Sequence, residues 1–182
     1  MSAVRRRSIS ISARPWKTWG RWCCPWPRLC KRRNLDMERI ASFTVDHNTL
    51  LPGLYYSRRD GEIVTFDLRF KRPNTGDLLT NSQMHSTEHL IATLLRNSPD
   101  RAAVVYFGPM GCRTGCYLVM FGNLDSEDIY DLVMDLCDFI IGFEGEIPGA
   151  APEQCGNYQE QNLDMAKYYI RKYRDSLKKD RN

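Results

Sequence analysis

Long apolar runs are missing from this 182-residue chain, and histidine is scarce, with three residues in all. No segment approaches the roughly 18–20 apolar residues needed to cross a bilayer. The N-terminal stretch also lacks the uninterrupted apolar core of a secretory signal. A membrane-spanning or exported protein is therefore not expected, and the chain reads as soluble and cytoplasmic. No internal repeat is visible, which excludes a repeat array. Cys23, Cys24 and Cys30 lack a second spaced pair with histidine, so a zinc knuckle has little support.

Acidic residues are nearly missing from the first 36 positions. Residues 1–36 hold ten Lys/Arg and one acid, a balance of +9, whereas residues 37–182 hold 16 basic and 21 acidic residues, a balance of −5. All four tryptophans, Trp16, Trp19, Trp22 and Trp26, also fall in the basic stretch. Arginine interleaved with tryptophan can pair with phosphates and stack on bases. The plainer reading is a disordered leader, or upstream sequence included by a start codon before Met37, and it is favoured because nothing in the stretch reads as a core. Residues 37–182 then form one domain, large enough to bury a core without staples. Their acidic balance argues against nucleic acid as a partner.

From 62 to 70, Val64, Phe66, Leu68 and Phe70 alternate with Thr65, Asp67 and Arg69. That period of two predicts a strand with one face buried and Arg69 turned away from the core side. Two shorter apolar runs, 103–107 and 116–121, flank Gly108-Pro109-Met110-Gly111 and read as strands around a turn that places Cys112 at a strand edge. Helical spacing recurs over 83–96, 126–139 (opened by Asp125-Ser126) and 162–177. The Gly/Pro/Glu-rich stretch 142–156 reads as a loop carrying Cys155. The order of elements implies an α+β fold, an antiparallel sheet packed with helices in a single domain.

Two of the three histidines stand in His85-Ser86-Thr87-Glu88-His89. Residues three and four apart are neighbours on a helix surface, so His85 and His89 can share one cation while Glu88 stays close without ligating it. A metal site on a helix carrying H-x-x-E-H is thus expected. The same order marks inverted zinc peptidases, in which the Glu is the general base, so the motif leaves at least two chemistries open. Either needs a third protein ligand, for which Cys155, Glu146, Glu153 and Glu160 are candidates. Cys155 alone could equally be a loop thiol of no consequence, and the histidine pair tips that reading toward a ligand, with the following Gly156 letting the backbone come close. Cys112 lies between Gly111 and Gly115 with Arg113 beside it. A cation there would raise its thiolate fraction, although on spacing alone it reads more readily as a small packed residue.

Five blocks in order resemble the S-ribosylhomocysteine lyase (LuxS) family: Ser42-Phe43-Thr44-Val45-Asp46-His47, Phe66-Asp67-Leu68-Arg69-Phe70, His85-Ser86-Thr87-Glu88-His89, Pro109-Met110-Gly111-Cys112-Arg113-Thr114-Gly115 and Gln154-Cys155-Gly156. The resemblance runs from about Met37 to Tyr173. It implies one divalent metal, Fe(II) with Zn(II) or Co(II) as substitutes, held by His85, His89 and Cys155. It further implies Glu88 and Cys112 as the general acid/base pair, and Ser42, His47 and Arg69 as substrate contacts. The implied reaction releases homocysteine from S-ribosylhomocysteine and yields dihydroxypentanedione, precursor of the autoinducer-2 signal, with no nicotinamide or flavin. A homodimer with active sites at the subunit interface is implied too, so that Ser42 and His47 would serve the partner's metal. Relatives often carry Ile-Ser or a similar pair, with an Asp upstream, where this chain has Tyr106, Phe107 and Gly108.

Overall fold

The computed structural model describes residues 43–181. The leader at 1–36 and Ser42 lie outside the described residues. Four strands and three helices follow one another as β1 (Gly53–Asp60), β2 (Ile63–Arg69), α1 (Asn81–Asn97), β3 (Val104–Pro109), β4 (Gly115–Phe121), α2 (Tyr130–Gly142) and α3 (Leu163–Asp180), with a short 3-10 turn over Pro99–Ala102. The strands form one antiparallel sheet in the order β1-β2-β4-β3. The fold is α+β.

Side chains on one face of the sheet, Val64, Phe66, Leu68, Phe107, Cys116, Leu118 and Met120, pack with Leu90, Leu95, Val133, Ile140, Ile170 and Tyr173 of the three helices into one continuous core. The period-two pattern of β2 is correct, but the expectation of a single buried face is not. Thr65, Asp67 and Arg69 turn to the opposite face as expected, yet Arg69 is only 2% exposed. The segment carrying Val45, His47 and Leu50 comes over that face and lines a cavity with Asp67 and Arg69.

Strand β1 was not anticipated, and its register explains why. A bulge between Tyr56 and Arg58 breaks the alternation that would have marked it. The turn was readable: Asp60-Gly61 is a strong hairpin signal, and Gly61 takes the positive φ of +64° that such a turn requires. Helix α1 begins two residues before the expected Gln83 because Thr80 caps it. The Gln83 amide donates to Thr80 Oγ1 (3.2 Å), and the Thr80 amide donates to Gln83 Oε1 (2.8 Å), a reciprocal capping box. Helix α2 begins four residues later than expected. The Asp125 carboxylate accepts from the amides of Glu127 and Asp128, so it closes a turn of its own ahead of the helix. Helix α3 begins where the spacing indicates, capped by Asn162, whose Oδ1 accepts from the Met165 amide at 3.0 Å.

Candidate metal and acid–base centre

Helix α1 carries His85, Glu88 and His89 in its first half, all half-buried. The two imidazoles meet edge to face with centroids 4.6 Å apart. The loop between α2 and α3 returns to this turn of the helix and brings Cys155 Sγ to 3.2 Å from His85 Nε2. One donor atom each from His85, His89 and Cys155 lies within 4.8 Å of the others.

Tetrahedral ligation with nitrogens at about 2.0 Å and a sulfur at about 2.3 Å sets neighbouring donors roughly 3.3–3.5 Å apart, so this cluster, its donors within 4.8 Å of one another, is at most about 1.5 Å more open than a loaded shell. The chemistry of the donors also fits. Two imidazole nitrogens and a sulfur suit a borderline divalent cation and leave a fourth position for water or substrate. His89 Nδ1 donates to the Pro148 carbonyl at 2.7 Å, which leaves Nε2 with its lone pair as the ligating atom. The residues present therefore fit a divalent metal.

A second group of side chains sits at the turn between β3 and β4. The Met110 amide bonds to the Gly115 carbonyl and the Arg113 amide to the Met110 carbonyl, both at 2.9 Å, with Arg113 at φ 59°. The strands run further than the sequence indicates, through Pro109 and from Gly115, so Cys112 stands exposed at the tip of the turn and not at a strand edge. Gly115 is required by its closeness to β2: a Cβ there would run into the Leu68 carbonyl oxygen. The same turn is fastened to the start of α1 by the Leu79 amide, which donates to the Arg113 carbonyl at 2.9 Å. Backbone hydrogen bonding thus joins the Cys112 turn to the helix that bears the metal donors.

The cation nearest Cys112 by hydrogen bonding is Arg69, not the adjacent Arg113 on which the sequence argument leaned. Arg69 Nη1 reaches Cys112 Sγ at 3.8 Å and donates to Thr114 Oγ1, whose hydroxyl is 3.0 Å from the same sulfur. Its other nitrogen pairs with Asp67. Burial pushes the Asp67 carboxyl above its ordinary range, while Arg69 and the nearby His47 pull it back. His47 lines both the cavity that contains Asp67, Arg69, Tyr55 and Tyr117 and the one that contains Cys112 and Thr114. Burial, followed by the Glu88 charge, drives the Cys116 thiol far above its ordinary pKa, which makes Cys116 a packed thiol and places Glu88 near β4. Two contributors went unnoticed in the sequence. Thr114 had no signal beyond its block, and Pro148-Gly149 read only as turn residues.

The chain is thus an α+β domain whose His/His/Cys cluster could hold a metal ion and whose Cys112 turn is hydrogen-bonded to the segment leading into the same helix. The pattern of the S-ribosylhomocysteinase (LuxS) family matches residues 40–182, and the chain belongs to that family. It is 51% identical over 146 residues to an S-ribosylhomocysteine lyase of Clostridium beijerinckii, covering 78% of this chain and 92% of that protein. Similar proteins of the same name occur in Borreliella afzelii, at 51% identity over 142 residues (75% and 90% of the two chains), and Phocaeicola vulgatus, at 52% over 142 residues (75% and 88%).

Proposed function

We propose that residues 37–182 form a lyase domain that cleaves S-ribosylhomocysteine to homocysteine and 4,5-dihydroxy-2,3-pentanedione, with one divalent cation, Fe(II) in the native enzyme, held by His85, His89 and Cys155. The observation that carries this reading is the convergence of three candidate metal donors from a helix and a distant loop, on a domain whose Cys112 also contacts a buried arginine. Family membership and the names of the relatives supply the substrate. When bound, the cation supplies Lewis acidity toward a carbonyl or hydroxyl oxygen of the open-chain sugar.

The side chains divide the remaining work. Arg69 Nη1 contacts the Cys112 sulfur at 3.8 Å and holds it beside the cavity. Cys112 removes the proton from the carbon beside the sugar carbonyl and returns it to the neighbouring carbon, while Glu88 moves the matching proton between the oxygens. Two such rounds carry the carbonyl from the first carbon to the third. The proton on the fourth carbon is then acidic, and its removal expels homocysteine thiolate from the fifth. The thiolate takes up a proton, and the resulting enol tautomerises to the diketone. Every electron shift stays within the sugar, so no nicotinamide or flavin enters. His47, Ser42 and Arg69 are the proposed substrate contacts. Asp67 Oδ1 and Arg69 Nε, buried and without a partner among the described residues, add hydrogen-bonding capacity beside the same cavity.

A peptidase of the inverted-motif class would want a carboxylate as third ligand. Cys155 meets the histidines here, and the Cys112–Arg69 contact has no task in that chemistry. Among the described residues no helix is long and apolar enough to cross a membrane. Cys112, Cys116, Cys137 and Cys155 are all free thiols, which supports a reducing compartment such as the cytoplasm.

The reading includes a homodimer. Helices cover one face of the sheet, and the other carries Tyr106 and Phe121, 52% and 49% exposed, with Val119 between them across the β3–β4 pairing. A second copy seated there would form the dimer that the family reading implies, in which Ser42 and His47 serve the partner's metal. Thiol release from S-ribosylhomocysteine by anaerobically purified, metal-analysed protein tests the function. Free homocysteine and the diketone in equal amounts are expected, and the absence of both would refute the assignment.

A further inference from the structure

The loop between α2 and α3 does more to α1 than deliver Cys155. Near its end, the Asn162 amide donates to Ser86 Oγ at 2.7 Å, inside the histidine motif. Near its start, the Pro148 carbonyl accepts from His89 Nδ1 at 2.7 Å. The next residue, Gly149, has φ +78°, a backbone conformation that residues with a Cβ rarely adopt. A Cβ there would stand 2.9 Å from His89 Nδ1 and 3.1 Å from Cε1, inside ordinary contact distance. Backing away is hindered as well. The Ala150 amide closes the turn onto the Ile147 carbonyl at 3.1 Å, and Ile147 is anchored in the core.

We infer that Ile147, Pro148, Gly149 and Ala150 form a positioning turn for His89: the Pro148 carbonyl fixes the imidazole as its Nδ1–H tautomer, and the missing side chain at Gly149 lets that carbonyl reach the ring. The inference rests on the reading of His85, His89 and Cys155 as ligands. A ligating imidazole must present a bare nitrogen at a set angle, and loss of the group that holds its other nitrogen costs 10–100-fold in metal affinity. Gly149 is thereby a determinant of metal affinity although it contributes no ligand atom. One loop supplies both a ligand and the orienting partner of another.

The test uses the full chain and Co(II), competed against a chromophoric chelator, for the wild type and for Gly149→Ala, Gly149→Asn and Cys155→Ala. Asparagine tolerates a left-handed backbone better than alanine, so it separates strain in the chain from encroachment on the ring. Both Gly149 variants are expected to bind Co(II) roughly 10–100-fold more weakly than the wild type. In metal-free protein, nitrogen NMR of the imidazoles should show His89 as the Nδ1–H tautomer in the wild type and a mixture in Gly149→Asn. Wild-type Co(II) affinity or an unchanged His89 tautomer in Gly149→Asn would overturn the inference while leaving the ligand assignment intact, provided Cys155→Ala loses the metal. Undiminished Co(II) binding by Cys155→Ala would overturn the ligand assignment itself, and this inference with it.

Discussion

Replacing Arg69 with methionine removes a charge from a place where water cannot compensate for it. The side chains of Arg69 and Asp67 are 2% and 12% exposed, and the pair is hydrogen-bonded. Deleting one member of a buried ion pair strands the other, which costs about 3–5 kcal/mol. That is a large share of the roughly 5–15 kcal/mol that holds a domain together. The loss should depend on pH with a definite sign. Burial already raises the Asp67 carboxyl and Arg69 opposes that rise, so without Arg69 its pKa climbs further. A group with a raised folded pKa contributes stability below its unfolded value, near pH 4, and loses that contribution as pH rises through the folded value. The deficit of Arg69→Met is therefore greatest at neutral pH and shrinks toward pH 4. The assay is urea denaturation of the wild type, Arg69→Met and Asp67→Asn/Arg69→Met at pH 5 and pH 7.5. The double variant should recover most of the stability but not the turnover, because the cation beside Cys112 is still missing. A deficit under about 1 kcal/mol, equal at both pH values, would refute the reasoning, since it would match an exposed pair.

Cys112→Ala should retain its metal and lose homocysteine release, read by metal analysis alongside the thiol assay; undiminished turnover would remove Cys112 from the proton shuttle. The contribution of the buried thiols to stability should be flat up to about pH 9 and then decline. The reason is that burial raises the Cys116 thiol strongly and lifts Cys137 to about 12, so the unfolded chain ionises first. Each thiol contributes a fall of up to about 1.4 kcal/mol per pH unit, and Cys137→Ala should make the decline in urea midpoints shallower. Phe121→Glu, on the open sheet face, should shift light-scattering mass from dimer to monomer at micromolar concentration; an unchanged mass would place the interface elsewhere.

The parts of the molecule legible in the sequence are those governed by short-range periodicity. Strand β2, helix α1 and helix α3 follow from alternation and helical spacing, and the histidine pair is visible because four residues make one turn. Strand β1 escaped because its bulge at Tyr56 and Arg58 disturbs the very period that marks a strand. The start of α2 was placed early because an Asp–Ser pair looks the same whether it caps a helix or, as here, an isolated turn. The site divides along the same line. His85 and His89 are neighbours in sequence, whereas Cys155 arrives across a sequence separation of 70 residues, and only the resemblance singled it out firmly. Arg69 was expected on a substrate contact, but its role beside Cys112 comes from strand pairing. The Arg69↔Gly115 register sets β2 against the end of the Cys112 turn, and no local pattern encodes that closeness. Pro148 and Gly149 matter through a carbonyl and a missing side chain, features that residue type alone does not advertise.

The claim on which the account depends is that His85, His89 and Cys155 grip one cation together. X-ray absorption at the metal edge of the anaerobically loaded protein measures that most directly. One sulfur at about 2.3 Å with two imidazole nitrogens is expected, and the sulfur should vanish in Cys155→Ala. A shell of nitrogen and oxygen alone in the unsubstituted protein would contradict the account.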